Sequence, residues 1–124
     1  QIDYGTFYPI QAGAVAALNS PQDIVKRNRE GYMARRDALC GGLRSIGWYV
    51  PDAQGTMFVW AKVPQGYASS AEFALELLEK TGVIVVPGSA FGKHGEGYVR
   101  MALVVPPERM QEAVRRIGES GMIH

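Results

Sequence analysis

The sequence is poor in the residues that build disulfide frameworks and metal sites. It has one cysteine, Cys40, and only two histidines, His94 and His124. One cysteine cannot form an internal disulfide, and two distant histidines do not form the ligand cluster of a zinc site. We therefore expect no bound metal. The single cysteine also fits a reducing compartment, so we expect a cytoplasmic protein.

An excess of charge of one sign and long apolar runs are lacking as well. Thirteen Lys and Arg residues are interspersed with twelve Asp and Glu residues, for a net charge of +1. No stretch approaches the ~20 apolar residues that span a bilayer. We therefore expect neither nucleic acid nor a membrane as a partner. Residues 1–4 resemble neither a start site nor a signal peptide, and we expect the chain to begin within a longer segment.

What the sequence does contain is the composition of one globular domain. It has 124 residues, of which 47% are hydrophobic and 20% are charged. These values fit a folded domain over residues 1–124. Helix-period and strand-period blocks alternate in the order α-α-β-β-α-β-β-α. The order predicts an α+β fold, in which helices pack on a small, mainly antiparallel sheet that a long helix precedes.

Capping residues and apolar periodicity predict four helices. Alanine-rich residues 9–19 predict a short one. Ser20 as N-cap and Pro21 as first helical residue predict a long helix that ends at Gly47. At a length of roughly 40 Å, we expect part of it to pack on something outside the domain. The last two helices are indicated by a Ser69–Glu72 capping box with Gly82 as terminator, and by residues 106–108.

Aromatic and β-branched residues predict four strands, at residues 48–50, 56–63, 83–86 and 98–105. The last of them contains Arg100, on one face with Tyr98, Ala102 and Val104. A guanidinium there needs an anionic partner or a route to water, and its planar fork suits a carboxylate. Arg100 is thus either a clamp for a substrate carboxylate or a structural arginine, and burial statistics alone favour the structural role.

Other residues give weaker signals. The turn at residues 87–92 could let the backbone approach a ligand, but it matches no phosphate-binding motif and fits a plain strand connection. We expect His94 to be solvated, Cys40 to serve packing, and Phe58 and Trp60 to pack in the core. No lysine stands in a context that suggests a buried amine for a Schiff base, and we expect all four to be surface charges: Lys26, Lys62, Lys80 and Lys93.

Five segments, in order over about residues 3–121, resemble the C-terminal part of class I and II, fold type I, pyridoxal-phosphate-dependent aminotransferases. Their residues are most similar to those of the branch of alanine, aspartate and LL-diaminopimelate aminotransferases. The segments are YGTFYPIQA at 4–12, REGYMARRD at 29–37, GTMFVW at 55–60, VPGSAFG at 86–92 and GEGYVRMAL at 95–103.

The resemblance implies a function for the arginine and a place for the chain. Enzymes of this family move an amino group from an amino acid to a 2-oxo acid through pyridoxal phosphate. The arginine of their Y/F-V-R motif, here Arg100, binds the α-carboxylate of the substrate. The Schiff-base lysine and the other cofactor-binding residues of the family lie upstream of the matched segments. The chain therefore resembles the small C-terminal domain without its large domain, and we expect no catalytic or cofactor-binding residue in it.

The same resemblance implies that the chain alone is inactive, and that the full-length enzyme is a homodimer. Two other interpretations stay open from the residues themselves. The chain could be a free-standing module that captures a carboxylate ligand with Arg100. It could also be a non-catalytic interaction domain whose long helix binds a partner chain.

Overall fold

The computed structural model describes residues 5–123. Helices precede a small sheet in the chain. His124 and residues 1–4, on which the expectation about the chain start depends, lie outside the described residues. The elements are α1 (Tyr8–Asn19), α2 (Asp23–Arg36), a π-helical turn (Asp37–Gly41), α3 (Gly42–Ser45), β1 (Phe58–Lys62), α4 (Ser70–Thr81), β2 (Val86–Pro87), 3-10 turns (Gly88–Phe91 and Lys93–Gly95), β3 (Tyr98–Ala102) and α5 (Pro107–Glu119).

The chain divides into two units, one that ends at Glu30 and one that begins at Gly31. The expectation of a single domain over residues 1–124 stays a prediction. In the first unit, α1 forms where the alanine-rich segment predicted a helix, with a proline in its first turn. None of the residues of α1 is buried.

Ser20 is not the N-cap of the second helix, which begins three residues later. The Ser20 hydroxyl instead donates to the carbonyl of Ala17 at 2.9 Å, so this residue closes α1. The carbonyl of Gln22 accepts from the N–H of Val25 at 3.0 Å, which makes the first bond of α2. A serine hydroxyl can bond backward or forward along the chain, and here it bonds backward to a free carbonyl at a helix end.

In the second unit, the helical course continues from α2 through the π-helical turn into α3 and ends near Gly47, as predicted. Gly47 has a φ of 93°, which favours glycine. The wide turn between α2 and α3 was not predicted. It places Leu39 and Cys40 in the core, with Leu43 of α3.

The sheet has three antiparallel strands in the order β1-β3-β2, which confirms the predicted α+β class. Register places Arg100 of β3 opposite Trp60 of β1 and Val86 of β2. The two faces of the sheet differ in burial because alternate residues point to opposite sides. Its inner face is fully or almost fully buried and consists of Val59, Ala61, Val99 and Met101.

Helices α4 and α5 close the core on that inner face. Helix α4 has the predicted cap, since the Ser69 hydroxyl accepts from the N–H of Glu72 at 3.1 Å. It ends at Gly82, which has a φ of 70°. Helix α5 begins at the predicted proline pair and buries Met110, Val114 and Ile117.

One of the four strand predictions was wrong and the other three were too long, since β1 and β3 cover only part of residues 56–63 and 98–105. Residues 48–50 form no strand, because Trp48 is held by other bonds: its N–H donates to Leu43 and its ring Nε1–H to the carbonyl of Lys62 at 2.8 Å. The strand expected at residues 83–86 shrinks to Val86–Pro87. Val83 donates its N–H to the Thr81 hydroxyl at 3.1 Å instead of to a neighbouring strand. Apolar content alone therefore overestimated the sheet.

Candidate functional site

The outer face of the sheet carries an arginine among aromatic rings. The guanidinium carbon Cζ of Arg100 lies 4.1 Å from the centre of the Phe58 ring and 4.5 Å from that of Phe91. The Trp60 ring lies 5.6 Å from Phe91 and stacks at 5.8 Å on Tyr98. We call Phe58, Trp60, Phe91 and Tyr98 the aromatic cluster. Phe58 and Phe91 are close enough to Cζ of Arg100 to attract the guanidinium through their electron-rich faces.

Strand alternation explains why these side chains meet. Phe58 and Trp60 are two residues apart in β1 and therefore point to the same side, opposite the buried Val59 and Ala61. The expectation that both rings pack in the core was wrong, because Trp60 is 39% exposed on the outer face. In the sequence, the alternation of residues along β1 indicates that Phe58 and Trp60 share a face. That this face lies beside Arg100 follows only from the strand register in the structure.

Arg100 has no acidic partner among residues 5–123. Every salt bridge within that part of the chain joins other residues, and none of the side-chain hydrogen bonds recorded there involves Arg100. The two rings contact the guanidinium, but they cannot accept the in-plane N–H bonds of its fork. Because Arg100 is half-buried, its positive charge lies at a surface where an anion can reach it.

The turn predicted as a possible ligand contact lies beside Arg100. Its 3-10 segment, Gly88–Phe91, presents the Phe91 ring to the guanidinium. Gly92 then turns the chain with a φ of 104°. Behind the turn, Gly88 lies against the backbone of Gly95 so closely that neither position has room for a Cβ atom. The structure thus places the two candidates from the sequence, Arg100 and this turn, side by side.

One acidic residue near the turn was not indicated by the sequence. The carboxylate of Glu96 accepts hydrogen bonds from the backbone N–H groups of Ser70 at 2.6 Å and Gly97 at 2.8 Å. These bonds, with the Ser70 bond first, hold the pKa of Glu96 below its ordinary value. No local pattern could reveal this contact, because Ser70 and Glu96 lie 26 positions apart in the sequence.

The other residues considered from the sequence, His94 and Cys40, do not lie in surroundings that favour a catalytic role. His94 is exposed, as expected. Cys40 is buried, and its burial raises the pKa of the thiol, which disfavours a reactive thiolate. Among residues 5–123, no group of three or more His, Cys, Asp or Glu side chains could hold a metal ion. Nor is any helix within that range long and apolar enough to cross a bilayer.

The family model described as aminotransferase class I and II matches residues 5–117. This chain belongs to the class I and II aminotransferase family. It is 47% identical to an LL-diaminopimelate aminotransferase of Halothermothrix orenii, over 96% of this chain and 30% of that protein. It is 45% identical to a glutamate-pyruvate aminotransferase of Escherichia coli, over 93% of this chain and 28% of that protein.

Solved aminotransferase structures share the fold. A probable N-succinyldiaminopimelate aminotransferase from Thermus thermophilus matches with a TM-score of 0.84 and 34% identity. That match covers 96% of this chain and 32% of the Thermus chain. The resemblance to the aminotransferase family, seen first in the sequence motifs, is confirmed. The chain spans about 30% of the length of the aminotransferases it matches.

The described lysines do not form a Schiff-base site for the family's cofactor. Lys80 pairs with Glu76 at 2.5 Å, and that bond raises the pKa of the lysine, which is opposite to what a nucleophilic amine needs. Lys26 lies 3.9 Å from Glu30. Lys62 and Lys93 are exposed. As expected from the sequence, all four lysines lie at the surface.

Proposed function

We propose that this chain supplies the substrate-carboxylate arginine of an aminotransferase that moves an amino group from an amino acid to a 2-oxo acid. The observation that carries the proposal is the setting of Arg100, which is half-buried between two rings and has no anionic partner among residues 5–123. A substrate carboxylate provides that partner. Membership of the aminotransferase family supports the reaction type.

The geometry suits recognition of a carboxylate. A guanidinium keeps its charge at any physiological pH and presents two parallel N–H bonds, which match the two oxygens of a carboxylate. Phe58 and Phe91 restrict its side-chain rotation, so less freedom is lost when the substrate binds. A carboxylate held at two points fixes the direction of the adjacent α-carbon, and such orientation contributes to the rate.

Pyridoxal phosphate is the cofactor that this proposal requires, and it supplies the group that carries the amino nitrogen. Because the described lysines do not fit its Schiff base, we infer that residues outside this sequence hold it. The 124 residues alone are then inactive, and a C-terminal small domain works with a large domain that is not part of the sequence.

Exposed apolar residues support a larger assembly. Helix α1 has no buried residue, although Phe7 before it and four of its side chains are large and apolar: Tyr8, Ile10, Val15 and Leu18. Apolar patches of this kind usually mark an interface. We propose that the large domain and a second subunit cover them in a homodimer. A cytoplasmic location, inferred from the single buried cysteine, is part of the same proposal.

The test uses the complete gene product with pyridoxal phosphate. Transamination is measured with L-glutamate, L-alanine, L-aspartate and LL-diaminopimelate as donors. Arg100→Lys should raise KM for the best donor about 10- to 100-fold, because a lysine cannot form the paired hydrogen bonds. Arg109→Lys, on the exposed surface of α5, is the matched control and should leave KM unchanged.

Two outcomes would contradict the proposal. Absence of turnover with all four donors opposes the aminotransferase function. Turnover with equal KM for Arg100→Lys and the unmodified enzyme opposes the assigned role of Arg100. A carboxylate ligand that binds Arg100 in a product without transaminase activity would favour the free-standing binding module instead.

A further inference from the structure

The carboxylate of Glu96 ends a chain of hydrogen bonds that runs to the turn beside Arg100. Its Oε1 accepts from the backbone N–H of Ser70 at 2.6 Å and from that of Gly97 at 2.8 Å. Its Oε2 accepts from the Ser70 hydroxyl at 3.2 Å. Hydrogen bonds to an ionised acceptor are stronger than those between neutral groups, so this carboxylate is held firmly.

Ser70 connects Glu96 to the turn. Its side chain is fully buried, and its oxygen accepts from the backbone N–H of Ser89 at 3.3 Å. The two serine hydroxyl oxygens lie 3.4 Å apart. A hydroxyl has one proton and two acceptor positions, so donation to Glu96 leaves the Ser70 lone pairs directed at Ser89. Glu96 therefore sets the orientation of the hydroxyl that binds the turn.

The turn that contains Ser89 also positions the Phe91 ring, which lies on one side of the Arg100 guanidinium. Ser89 is two residues before Phe91, whose ring centre lies 4.5 Å from Cζ of Arg100. The contact between Gly88 and Gly95 presses the same turn against the residue that precedes Glu96. A displacement of Ser89 would therefore move the Phe91 ring relative to the guanidinium.

Capping of α4 alone does not account for these bonds. The helix has its own N-cap in Ser69, whose hydroxyl accepts from the N–H of Glu72 at 3.1 Å. The Glu72 carboxylate in turn accepts from the N–H of Ala68 at 2.9 Å. The bonds of Glu96 add a connection from the helix to the turn, which a cap does not need.

We propose that Glu96 is a positioning residue that, through Ser70 and Ser89, holds the Phe91 ring against Arg100 and so directs the guanidinium toward the substrate carboxylate. This inference rests on the proposed role of Arg100. It assigns to Glu96 an effect on substrate binding at a site that its own side chain does not contact.

The test compares variants of the complete gene product with its cofactor bound. Glu96→Gln keeps the size of the side chain but replaces one acceptor oxygen by an amide nitrogen. It should raise KM for the best donor about threefold to tenfold, the effect of losing one hydrogen bond. Phe91→Leu should give a similar rise, because it removes the ring that Glu96 holds. Glu108→Gln, an exposed carboxylate on α5, is the control and should not change KM.

The split between KM and kcat separates positioning from loss of folded enzyme. A variant that only unfolds lowers the apparent kcat at constant KM, whereas misdirection of Arg100 raises KM. Combining Glu96→Gln with Arg100→Lys adds a second check. If Glu96 acts through Arg100, the double variant should show little more loss than Arg100→Lys alone.

Each outcome distinguishes the two proposals. Fully additive losses, or an unchanged KM for Glu96→Gln while Arg100→Lys raises it, would overturn the positioning role and leave the role of Arg100 intact. An unchanged KM for Arg100→Lys would overturn the role of Arg100 and, with it, the inference about Glu96.

Discussion

The α-carbon of Gly88 faces the carbonyl oxygen of Gly95 at a distance that leaves no space for a side chain. A Cβ at Gly88 would also lie 2.7 Å from the carbonyl oxygen of Tyr98, the first residue of β3. The turn that carries Phe91 is thus packed backbone to backbone against the chain that leads into the strand of Arg100.

Gly88→Ala should therefore destabilise the protein. The added methyl group meets backbone atoms that cannot move aside, and overpacking of this kind costs about 1–3 kcal/mol in the free energy of unfolding. The measurement is urea unfolding followed by circular dichroism. Gly41→Ala is the matched control, because a Cβ there meets nothing within 4 Å and its φ is −62°. That control should be neutral or stabilising, and an equally stable Gly88→Ala would contradict the packing.

Thr56 should be replaceable by glycine with a gain in stability. It is the only non-glycine residue among residues 5–123 with a positive φ, at 67°, and a β-branched side chain is strained there. We expect Thr56→Gly to raise the free energy of unfolding by about 1 kcal/mol, the relief of strain less the added chain entropy. Thr6→Gly, at an ordinary φ, should not stabilise. A lower melting temperature for Thr56→Gly would count against the strain.

The Glu112 carboxylate should stabilise the folded protein at pH values where it is ionised, and this stabilisation should be lost in acid. Hydrogen bonds from Arg115 and Arg116 lower the pKa of its carboxyl to about 2. In the unfolded chain the pKa is near its ordinary value, about 4.3. A depressed pKa in the folded state stabilises the protein above the unfolded value, and the gain is lost as pH falls from there to about 2.

The measurement for Glu112 is the melting temperature against pH for the unmodified protein and for Glu112→Gln. The difference between the two should be largest near neutral pH and should shrink between about pH 5 and pH 2. Added salt should reduce it, because the side chains are exposed. Glu108→Gln, in the first turn of the same helix, is the control. A difference that does not depend on pH would contradict the prediction.

Cys40 should react with a thiol reagent only when the protein opens. Its side chain is fully buried within the π-helical turn, and its burial raises the pKa of the thiol. Both effects suppress the thiolate that attacks such reagents. Labelling with a disulfide reagent should therefore be slow under native conditions and rapid in denaturant. Rapid labelling of the native protein would show that this turn opens readily.

Local signals in the sequence predicted much of the fold. The Ser69–Glu72 cap and the left-handed Gly82 delimit α4, and the proline pair before Glu108 begins α5. These features depend on neighbours within a few residues, so a sequence displays them directly. Three strands were recognised in place but were too long, because strand ends depend on pairing partners and residues such as Val83 bond elsewhere. The fourth, expected at residues 48–50, is absent.

Only Arg100 and the turn at residues 87–92 could be predicted as parts of the site. Arg100 stands out as a guanidinium in an apolar strand, and family resemblance then suggests its role. Its aromatic surroundings depend on the register between β1 and β3, and the bond between Ser70 and Glu96 joins distant parts of the chain. Such contacts are products of tertiary packing, which no periodicity records. The wide turn that begins at Asp37 was missed for a similar reason.

That wide turn amounts to a one-residue insertion in the helix. An α-helix advances by about 100° per residue and a π-helical turn by less. The wide turn Asp37–Gly41 therefore takes up the extra residue, and residues 31–36 keep about the direction relative to α3 that a regular helix one residue shorter would give them. Residues such as Tyr32, which packs against the core, therefore face about the same direction with or without the extra residue. A single-residue deletion within this turn should therefore be better tolerated than one within the regular turns of α2, where it would shift the helical phase by about 100°.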